Sequence, residues 1–304
     1  MKYLSDHFKE IEKRTQFPEE AIPVLEQVAE RLDSDKKFGA KFEALRKGYM
    51  YGRGRLGNYT KKLEKLAEKY DIHPYTLEMV FLMVCCELLH KRYRRKGISE
   101  EIYWDGVCDL KYKLVECIEC EHVVGTFVAD WNDGFLRMTR FALGRFQFEY
   151  SDFDMDYTTK SGIKIKKGQD CLNFHIPSSG VPLTDDVRLD SYRRAWEFFK
   201  DIRTPDGYLI LTCGSWLLFP KHEEFLDKNS NIMKFYRDFE IFEGREKDNF
   251  NDDWRIWGHY SDLPLEERPA DTKLRAAYKN WMMAGNKTGY GIGLIVLKDG
   301  KPVK

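Results

Sequence analysis

The segment CLNFHIPSSGVPLTDDV, residues 171–187, contains three successive signals that decide the fold of its region. Its first residues alternate between apolar and polar side chains, which predicts a strand with two unlike faces. Thr184 or Asp185 then provides a helix N-cap ahead of an apolar stripe. The small residues between strand and helix are either an ordinary turn or a loop whose backbone N–H groups approach a phosphate at the helix N-terminus.

A period of two residues governs the chain after about residue 120 and predicts a sheet with flanking helices. The turn Lys167–Asp170 predicts a hairpin between two of the strands. NKTGYGIG, residues 286–293, follows a predicted helix and opens a strand, so we predict turn glycines rather than a phosphate loop. Strands are predicted at 144–151, 162–167, 171–177, 208–218, 239–243, 254–258 and in the closing GIGLIVL, and helices at 184–201, 221–237 and 269–284.

Helical periodicity dominates the first 120 residues, where apolar residues recur at intervals of three and four. Pro74 falls in the first turn of one predicted helix, Gly97 stops that helix, and Ser99 caps the next. We therefore predict an α+β protein. An all-helical domain at 1–122 precedes a mixed, mostly antiparallel sheet with flanking helices at 123–304.

The bulk composition excludes several classes of protein. The 304 residues are 42% hydrophobic and 14% aromatic, which is ample for packed cores. Equal numbers of basic and acidic residues, 50 of each, argue against general polyanion binding, and no apolar run is long enough to span a membrane. The charged N-terminus is unlike a signal peptide, and seven cysteines without a framework spacing fit reduced thiols. We expect a cytoplasmic protein that binds neither nucleic acid nor membrane.

Two motifs in the helical half allow other interpretations. KLAEKYDIHPYTLEMV resembles a helix-turn-helix, but its second helix continues as MVFLMVCC, which is apolar nearly all round, as a buried helix would be. Cys117-x2-Cys120-x-His122 supplies half of a structural zinc site, and no second pair of this spacing follows. We predict a buried helix end and no metal there, and Cys85 and Cys86 as small core residues.

Two predicted strands carry polar faces that bear on chemistry. Arg145, Gln147 and Glu149 alternate on one strand, and Asn173 and His175 on the other. If the strands share a sheet, both rows line one cleft, and a carboxylate and an imidazole are residue types that move protons near neutral pH. An ordinary solvated face with a cross-strand ion pair fits the same pattern.

Three stretches together resemble a known family. They are YWDGVCDLKYKLVEC (103–117), FLRMTRFALGRFQFEY (135–150) and LNFHIPSSGVPLTDDVRLDSYRRAWEFF (172–199). They are similar to a bacterial acyltransferase family that pairs a helical N-acyltransferase N-terminal domain with a GNAT-like C-terminal domain. The resemblance implies that antiparallel strands lead into a central strand, a pyrophosphate-binding loop and a helix. A further strand then splays away to make room for the pantetheine arm of an acyl-CoA.

The resemblance also implies how the acyl-CoA co-substrate is bound. Ser178, Ser179 and Gly180 occupy the place of the phosphate loop, where a helix N-terminus offers free N–H donors. The segment departs from the usual loop, in which Gln or Arg precedes spaced glycines. It has one glycine, two prolines and two aspartates that repel an anion, so we expect the phosphate contact to be shifted, weakened or lost. The residues expected to bind the co-substrate are Ile176, Ser178, Ser179, Gly180, Val181 and Arg188.

The function implied is transfer of an acyl group from acyl-CoA to a small amine-bearing acceptor, without a metal. Glu149 or His175 is expected to act as the base, and Ser215, beside Gly214, to protonate the departing thiolate. Substrate-binding residues are expected to be Arg145, Gln147, Asn173 and Trp216. Two other functions stay open: a non-catalytic ligand sensor with a helical interaction domain, and a nucleic-acid-associated factor using residues 57–97. The oligomeric state is not indicated.

Overall fold

The computed structural model describes residues 1–303 in two compact units, Met1–Ala142 and a second unit from Leu143 onward. The first is helical and the second contains the sheet, so the protein is α+β, as predicted. The units divide later than the predicted 122/123 boundary, because two short helical segments follow the long helices, namely a 3-10 helix at Ala129–Asn132 and an α-helix at Asp133–Arg137. Across the described chain, no helix has the combination of length and apolar composition needed to span a bilayer.

Seven α-helices form the first unit, and their apolar faces meet in its core. Most begin at a side-chain cap, as at Ser99, whose Oγ accepts from the backbone N–H of Ile102 (3.3 Å). Their bounds are α1 Asp6–Thr15, α2 Ile22–Ser34, α3 Lys36–Tyr51, α4 Gly57–Lys69, α5 Pro74–Arg95, α6 Glu100–Glu121 and α7 Asp133–Arg137.

Helix α5 is the most deeply buried helix of the unit. Met79, Phe81 and Met83 have no exposed surface, which confirms the prediction of a buried helix for this apolar run. A helix that reads DNA must present polar side chains to base edges. Its buried middle is therefore unsuited to that role.

The main sheet has seven strands in the order β1-β2-β5-β6-β8-β7, with β9 beside β8, and all of it except the first three residues of β1 lies in the second unit. Strands β3 and β4 form a separate two-stranded sheet. The pair β5–β6 is parallel, and the β2–β5, β6–β8, β7–β8 and β8–β9 pairs are antiparallel. The strands are β1 Arg140–Leu143, β2 Phe146–Asp152, β3 Tyr157–Thr158, β4 Lys164–Ile165, β5 Asp170–His175, β6 Leu209–Ser215, β7 Glu240–Lys247, β8 Thr288–Lys298 and β9 Lys301–Pro302. The helices are α8 Asp185–Phe198, α9 His222–Phe225, α10 Asn231–Tyr236, α11 Trp254–Trp257 and α12 Lys273–Met283.

The two faces of the sheet differ in chemistry. One face is aromatic and packs on α8: the ring of Phe146 stacks on Tyr192 (5.8 Å between centroids), and Phe148 meets Phe199 edge to face. On the other face, Cys171 at the start of β5 and Ile210 at the start of β6 lie in a core cluster with Leu294 and Val296 of β8. Beyond that cluster the same face becomes polar, and this change sets the position of the candidate site.

Three predictions of local structure are wrong. The turn near Gly168 exists, but the strands on either side of it do not pair: β4 pairs with β3, and β5 with β2. The reason is that Phe153 takes the hydrogen bonds of the turn, its carbonyl accepting from the N–H of Gly168 (2.7 Å) and its N–H donating to Gln169 (2.8 Å). Residues 254–257 form helix α11 rather than a strand, because Arg268 binds Asp253 at its start (2.9 Å).

The third error concerns the glycines of 286–293. Gly289, Gly291 and Gly293 lie inside strand β8 and not in a turn. A Cβ at Gly291 would come within 1.9 Å of the carbonyl oxygen of Leu218. These glycines occupy alternate positions on one face of the strand. Without a Cβ there, neighbouring backbone segments can approach that face closely.

Candidate active site

An opening between two central strands defines the candidate site. Strands β5 and β6 are parallel and pair only through Leu172 with Leu211 and Asn173 with Thr212. Beyond that point β5 continues to His175 and β6 to Ser215, each still paired on its outer side. The strands therefore splay apart between two intact ladders, and within residues 1–303 the main-chain groups along the opening are not paired with each other.

Glu149 and His175 meet on the polar face beside this opening. Glu149 is diagonal to His175 in the β2–β5 register, and its Oε2 lies 3.1 Å from His175 Nε2. The two side chains are 23% and 14% exposed, so they are partly shielded but reachable from solvent. The structure thus brings together the two residues that the sequence nominated as candidate bases.

Three further polar residues continue this face. Gln147 lies opposite His175, and Asn173 lies between Glu149 on β2 and Thr212 on β6. Gln147 is almost fully buried and Asn173 is half-buried. Thr212 was missed from the sequence because it falls in an otherwise apolar strand, YLILTCGSWLLF. Its hydroxyl donates to the carbonyl of Leu172 (3.4 Å), at the point where the two strands separate.

Arg145 holds the loop that follows β5. Its Nη1 donates to the carbonyl oxygen of Pro177 and its Nε to that of Val181, both at 2.8 Å. The N–H of Ser179 donates to the Pro177 carbonyl (2.9 Å), and Gly180 takes a φ of 73°, which favours glycine. Arg145 was expected to bind substrate. In the structure its guanidinium instead donates hydrogen bonds to the backbone of the expected phosphate loop.

The N-terminus of α8 already carries an anion of its own. Thr184 is the N-cap residue, and the exposed Asp186 lies in the first turn of the helix. Hydrogen bonding to the Thr184 hydroxyl and to the backbone N–H of Val187 lowers the pKa of Asp186. A phosphate approaching this helix end must share its partial positive charge with that carboxylate.

Arg188, expected to bind the co-substrate, is buried and bonded to protein groups. Its Nε donates to Asp238 Oδ2 (2.6 Å), its Nη1 to the Leu183 carbonyl (2.7 Å) and to Asp185 (3.1 Å). The hydroxyl of Tyr192 donates to the same carboxylate oxygen of Asp238 (2.9 Å). The network ties the end of the loop and the start of α8 to the segment before β7.

The remaining nominated residues lie on both sides of the opening. Ser215 ends β6, and its Oγ accepts from the N–H of Leu217 (3.2 Å), which leaves the hydroxyl proton for another acceptor. Trp216 turns into an aromatic cluster, where its ring meets that of Tyr278 edge to face (5.8 Å). On the loop side, Ile176 is half-buried and Val181 is exposed.

A buried histidine in that aromatic cluster was missed from the sequence. His222 has no exposed surface, and its Nε2 lies 2.6 Å from the Tyr278 hydroxyl. Burial lowers its pKa to about 4, although the Leu217 carbonyl opposes this shift. The sequence predicted a helix over 221–237 without indicating burial of this ring, which is surrounded by the rings of Trp216, Phe219, Phe225 and Tyr278.

Metal ligands are not assembled among residues 1–303: no group of three or more His, Cys, Asp or Glu side chains is arranged to hold an ion. Cys117 is buried, and its burial raises the thiol pKa to about 12. His122 closes α6 in the left-handed conformation, with φ 56°. All seven cysteines are free thiols.

Comparison with known proteins connects both units to acyl transfer. Residues 141–295 match the family described as GNAT-like C-terminal domain, and residues 6–138 match the N-acyltransferase N-terminal domain. No curated protein matches the chain.

Solved structures of similar fold are described as acyltransferases. One, in complex with decanoyl-CoA, is 21% identical with a TM-score of 0.74 over 95% of this chain and 87% of that one. A second, with decanoyl-CoA and teicoplanin, is 21% identical with a TM-score of 0.72 over 96% and 88%. A third, a mutant with octanoyl-CoA, is 20% identical with a TM-score of 0.72 over 95% and 87%. At this level of identity the likeness shows a shared fold.

Proposed function

This chain belongs to the acyltransferase family that joins an N-acyltransferase N-terminal domain to a GNAT-like C-terminal domain, and from that premise we propose that it transfers an acyl group from acyl-CoA to an amine. One observation carries the proposal: a carboxylate and an imidazole in contact, beside an opening between two parallel strands. The structural neighbours that contain octanoyl-CoA or decanoyl-CoA support an acyl-CoA as donor.

The opening between β5 and β6 suits the pantetheine arm of such a donor. An extended chain with amide groups finds main-chain donors and acceptors there that are not paired with each other. At the end of β5, the N–H groups of Ser178 and Gly180 make no hydrogen bond within residues 1–303, and both residues are exposed. The proposed place of the pyrophosphate is beside these two donors.

The proposed step is a direct transfer. The amine nitrogen attacks the thioester carbonyl carbon, the C–N bond forms, and the C–S bond breaks to release an amide and CoA. One proton leaves the nitrogen and one is taken up by the thiolate. The Glu149–His175 pair accepts the first proton as one coupled unit, and Ser215 is the candidate donor of the second. A main-chain N–H at the opening polarises the carbonyl, and holding both substrates together supplies much of the acceleration.

The acceptor is proposed as an amine, and its size is left to experiment. The sequence suggested a small molecule. One neighbour is described with decanoyl-CoA and teicoplanin, and another with CoA and 10C-teicoplanin, so large acceptors belong in the screen. The screen therefore pairs small amines with large amine-bearing compounds, using acetyl-, octanoyl- and decanoyl-CoA as donors.

The test has two stages. Calorimetry with acyl-CoA against CoA measures binding, and release of the CoA thiol in the presence of an amine measures turnover. With an established donor and acceptor, Glu149→Gln and His175→Ala are expected to lower kcat at least about tenfold, since a general base typically contributes about 10²- to 10⁴-fold. Their melting temperatures are expected to stay close to that of the wild type, because both side chains are partly exposed.

Glu246→Gln is the matched control. Glu246 is an exposed carboxylate on β7 of the same sheet and is paired with Lys221, so its loss leaves kcat unchanged. Wild-type turnover in both Glu149→Gln and His175→Ala would remove the catalytic assignment. Failure of every acyl-CoA to bind would remove the proposed function itself.

A non-catalytic ligand sensor is the second candidate, and the departure of residues 177–184 from the usual glycine-spaced loop favours it. A sensor binds acyl-CoA with no thiol release for any amine. The same calorimetry and release assay therefore distinguish the two candidates.

A further inference from the structure

We propose that Arg145 is the positioning residue of the phosphate loop: it fixes the backbone from Pro177 to Val181 so that the loop binds the nucleotide half of the co-substrate. The inference rests on the proposed function. It gives Arg145 a role in binding the nucleotide half of the donor and leaves the thioester to the catalytic residues. It also replaces the substrate-binding role expected of Arg145 from the sequence.

The bonds made by the guanidinium are the first argument. Arg145 lies just before β2, and it reaches the carbonyl oxygens of Pro177 and Val181, at the two ends of the loop, at 2.8 Å each. A planar guanidinium offers its donors in a fixed fork, so it sets the distance between two acceptors as a flexible lysine cannot. The two ends of the loop are therefore held at a defined separation.

The hydrogen bonds inside the loop are the second argument. The N–H of Ser179 donates to the Pro177 carbonyl, and the N–H of Val181 faces the Ser179 hydroxyl at 3.4 Å. Between Pro177 and Val181, the N–H groups of Ser178 and Gly180 make no hydrogen bond within residues 1–303. With the carbonyls held by Arg145, the exposed donors of the loop are the groups left for an anion.

Charge is the third argument. The aspartates at the start of α8 oppose an anion, and the buried Arg188 is committed to Asp238. Arg145 adds a permanent positive charge behind the loop while its bonds shape the backbone. One side chain thus compensates for the spaced glycines that this loop lacks.

The experiment separates the nucleotide half of the donor from its acyl-pantetheine half. Calorimetry with CoA is compared with turnover of an acyl-pantetheine, which has the same thioester and no phosphate. Arg145→Lys keeps the positive charge but loses the two guanidinium donors that reach the carbonyls of Pro177 and Val181. It is expected to weaken CoA binding at least about tenfold, the size of one lost charge-assisted hydrogen bond, and to leave acyl-pantetheine turnover within about twofold.

Arg193→Lys is the matched control. Arg193 lies on the adjacent helix α8, is 51% exposed and pairs with Asp190 and Glu197, so CoA binding is expected to be unchanged. If Arg145→Lys fails to fold, Gly180→Ala replaces it. A Cβ there meets nothing within 4 Å, but φ 73° is strained for alanine, so the loop alone is disturbed. The same selective loss of CoA binding is expected.

Each outcome decides a different question. Failure of the wild type to bind CoA and every acyl-CoA overturns the proposed function and this inference with it, and failure to bind CoA alone overturns the inference. Wild-type binding together with an unchanged affinity of Arg145→Lys overturns the inference alone. An equal loss with CoA and with acyl-pantetheine also overturns it, because Arg145 would then act on the reacting half of the donor. Selective loss with CoA establishes the positioning role.

Discussion

Replacing Arg188 by methionine is expected to destabilise the second unit by about 3–5 kcal/mol, because it leaves a partly buried carboxylate without its cation. The Arg188 side chain is 5% exposed and its partner Asp238 is 18% exposed. In the variant, Asp238 keeps only the hydroxyl of Tyr192 among its bonds described above, and the Leu183 carbonyl loses a donor. For a unit of this size the loss corresponds to a fall in Tm of roughly 10 °C.

Denaturant unfolding of four variants measures this energy: Arg188→Met, Asp238→Asn, the double variant and a control. Arg188→Met combined with Asp238→Asn removes both charges, so the double variant is expected to be more stable than the single one, with a coupling energy of at least about 1.5 kcal/mol. Arg193→Met is the control on the same helix, and it is expected to cost under about 1 kcal/mol, because its ion pairs are exposed. A single variant within 1 kcal/mol of wild type, or additive effects in the double variant, would refute the reasoning. Weak CoA binding with unchanged stability would restore Arg188 as a phosphate ligand.

Three other predictions follow from the same structure. Asp186→Asn removes the anion at the start of α8, so calorimetry is expected to show CoA binding about two- to fivefold tighter; equal or weaker binding would contradict this. His222 has its folded pKa lowered to about 4, so the unfolded chain takes up its proton first as pH falls. This proton uptake is expected to lower the unfolding free energy of the wild type by about 2 kcal/mol between pH 7 and pH 5, a loss absent in His222→Gln. Equal slopes of unfolding free energy against pH in the two proteins would contradict this. Gly291→Ala places a Cβ 1.9 Å from the Leu218 carbonyl oxygen and is expected to cost more than about 3 kcal/mol. The control Gly214→Ala meets nothing closer than 3.8 Å and is expected to cost under about 1 kcal/mol, and similar melting temperatures for the two would contradict the account.

The periodicity of the sequence was sufficient for the helical unit and for the polar face of the sheet. Alternation along β2 and β5 placed Glu149 and His175 on one face, and the register adds only their direct contact. Periodicity cannot specify which strands pair, and for that reason the hairpin at Gly168 was wrong. In the structure the hydrogen-bond partner of Gly168 and Gln169 is the backbone of Phe153, which lies outside both predicted strands.

Long-range polar contacts were also beyond the sequence. Arg145 and Arg188 both lie near this loop, and the sequence predicted a ligand-binding role for each, with substrate for Arg145 and co-substrate for Arg188. The structure separates them by their acceptors: backbone carbonyls for Arg145, and the carboxylate of Asp238, 50 residues distant, for Arg188. His222 illustrates the same limit, because a charged local segment hides a fully buried ring.

The glycine face of β8 has a consequence for evolution and engineering. Gly289, Gly291 and Gly293 have no functional groups, yet the Leu218 backbone lies against Gly291 and the Phe219 ring lies against Gly289. These two glycines therefore leave room for the segment that follows Ser215, the proposed donor of a proton. Selection on turnover would act on these positions although none carries chemistry. A library built to change acceptor preference therefore gains by sparing them and by placing its diversity on the exposed loop and the polar face.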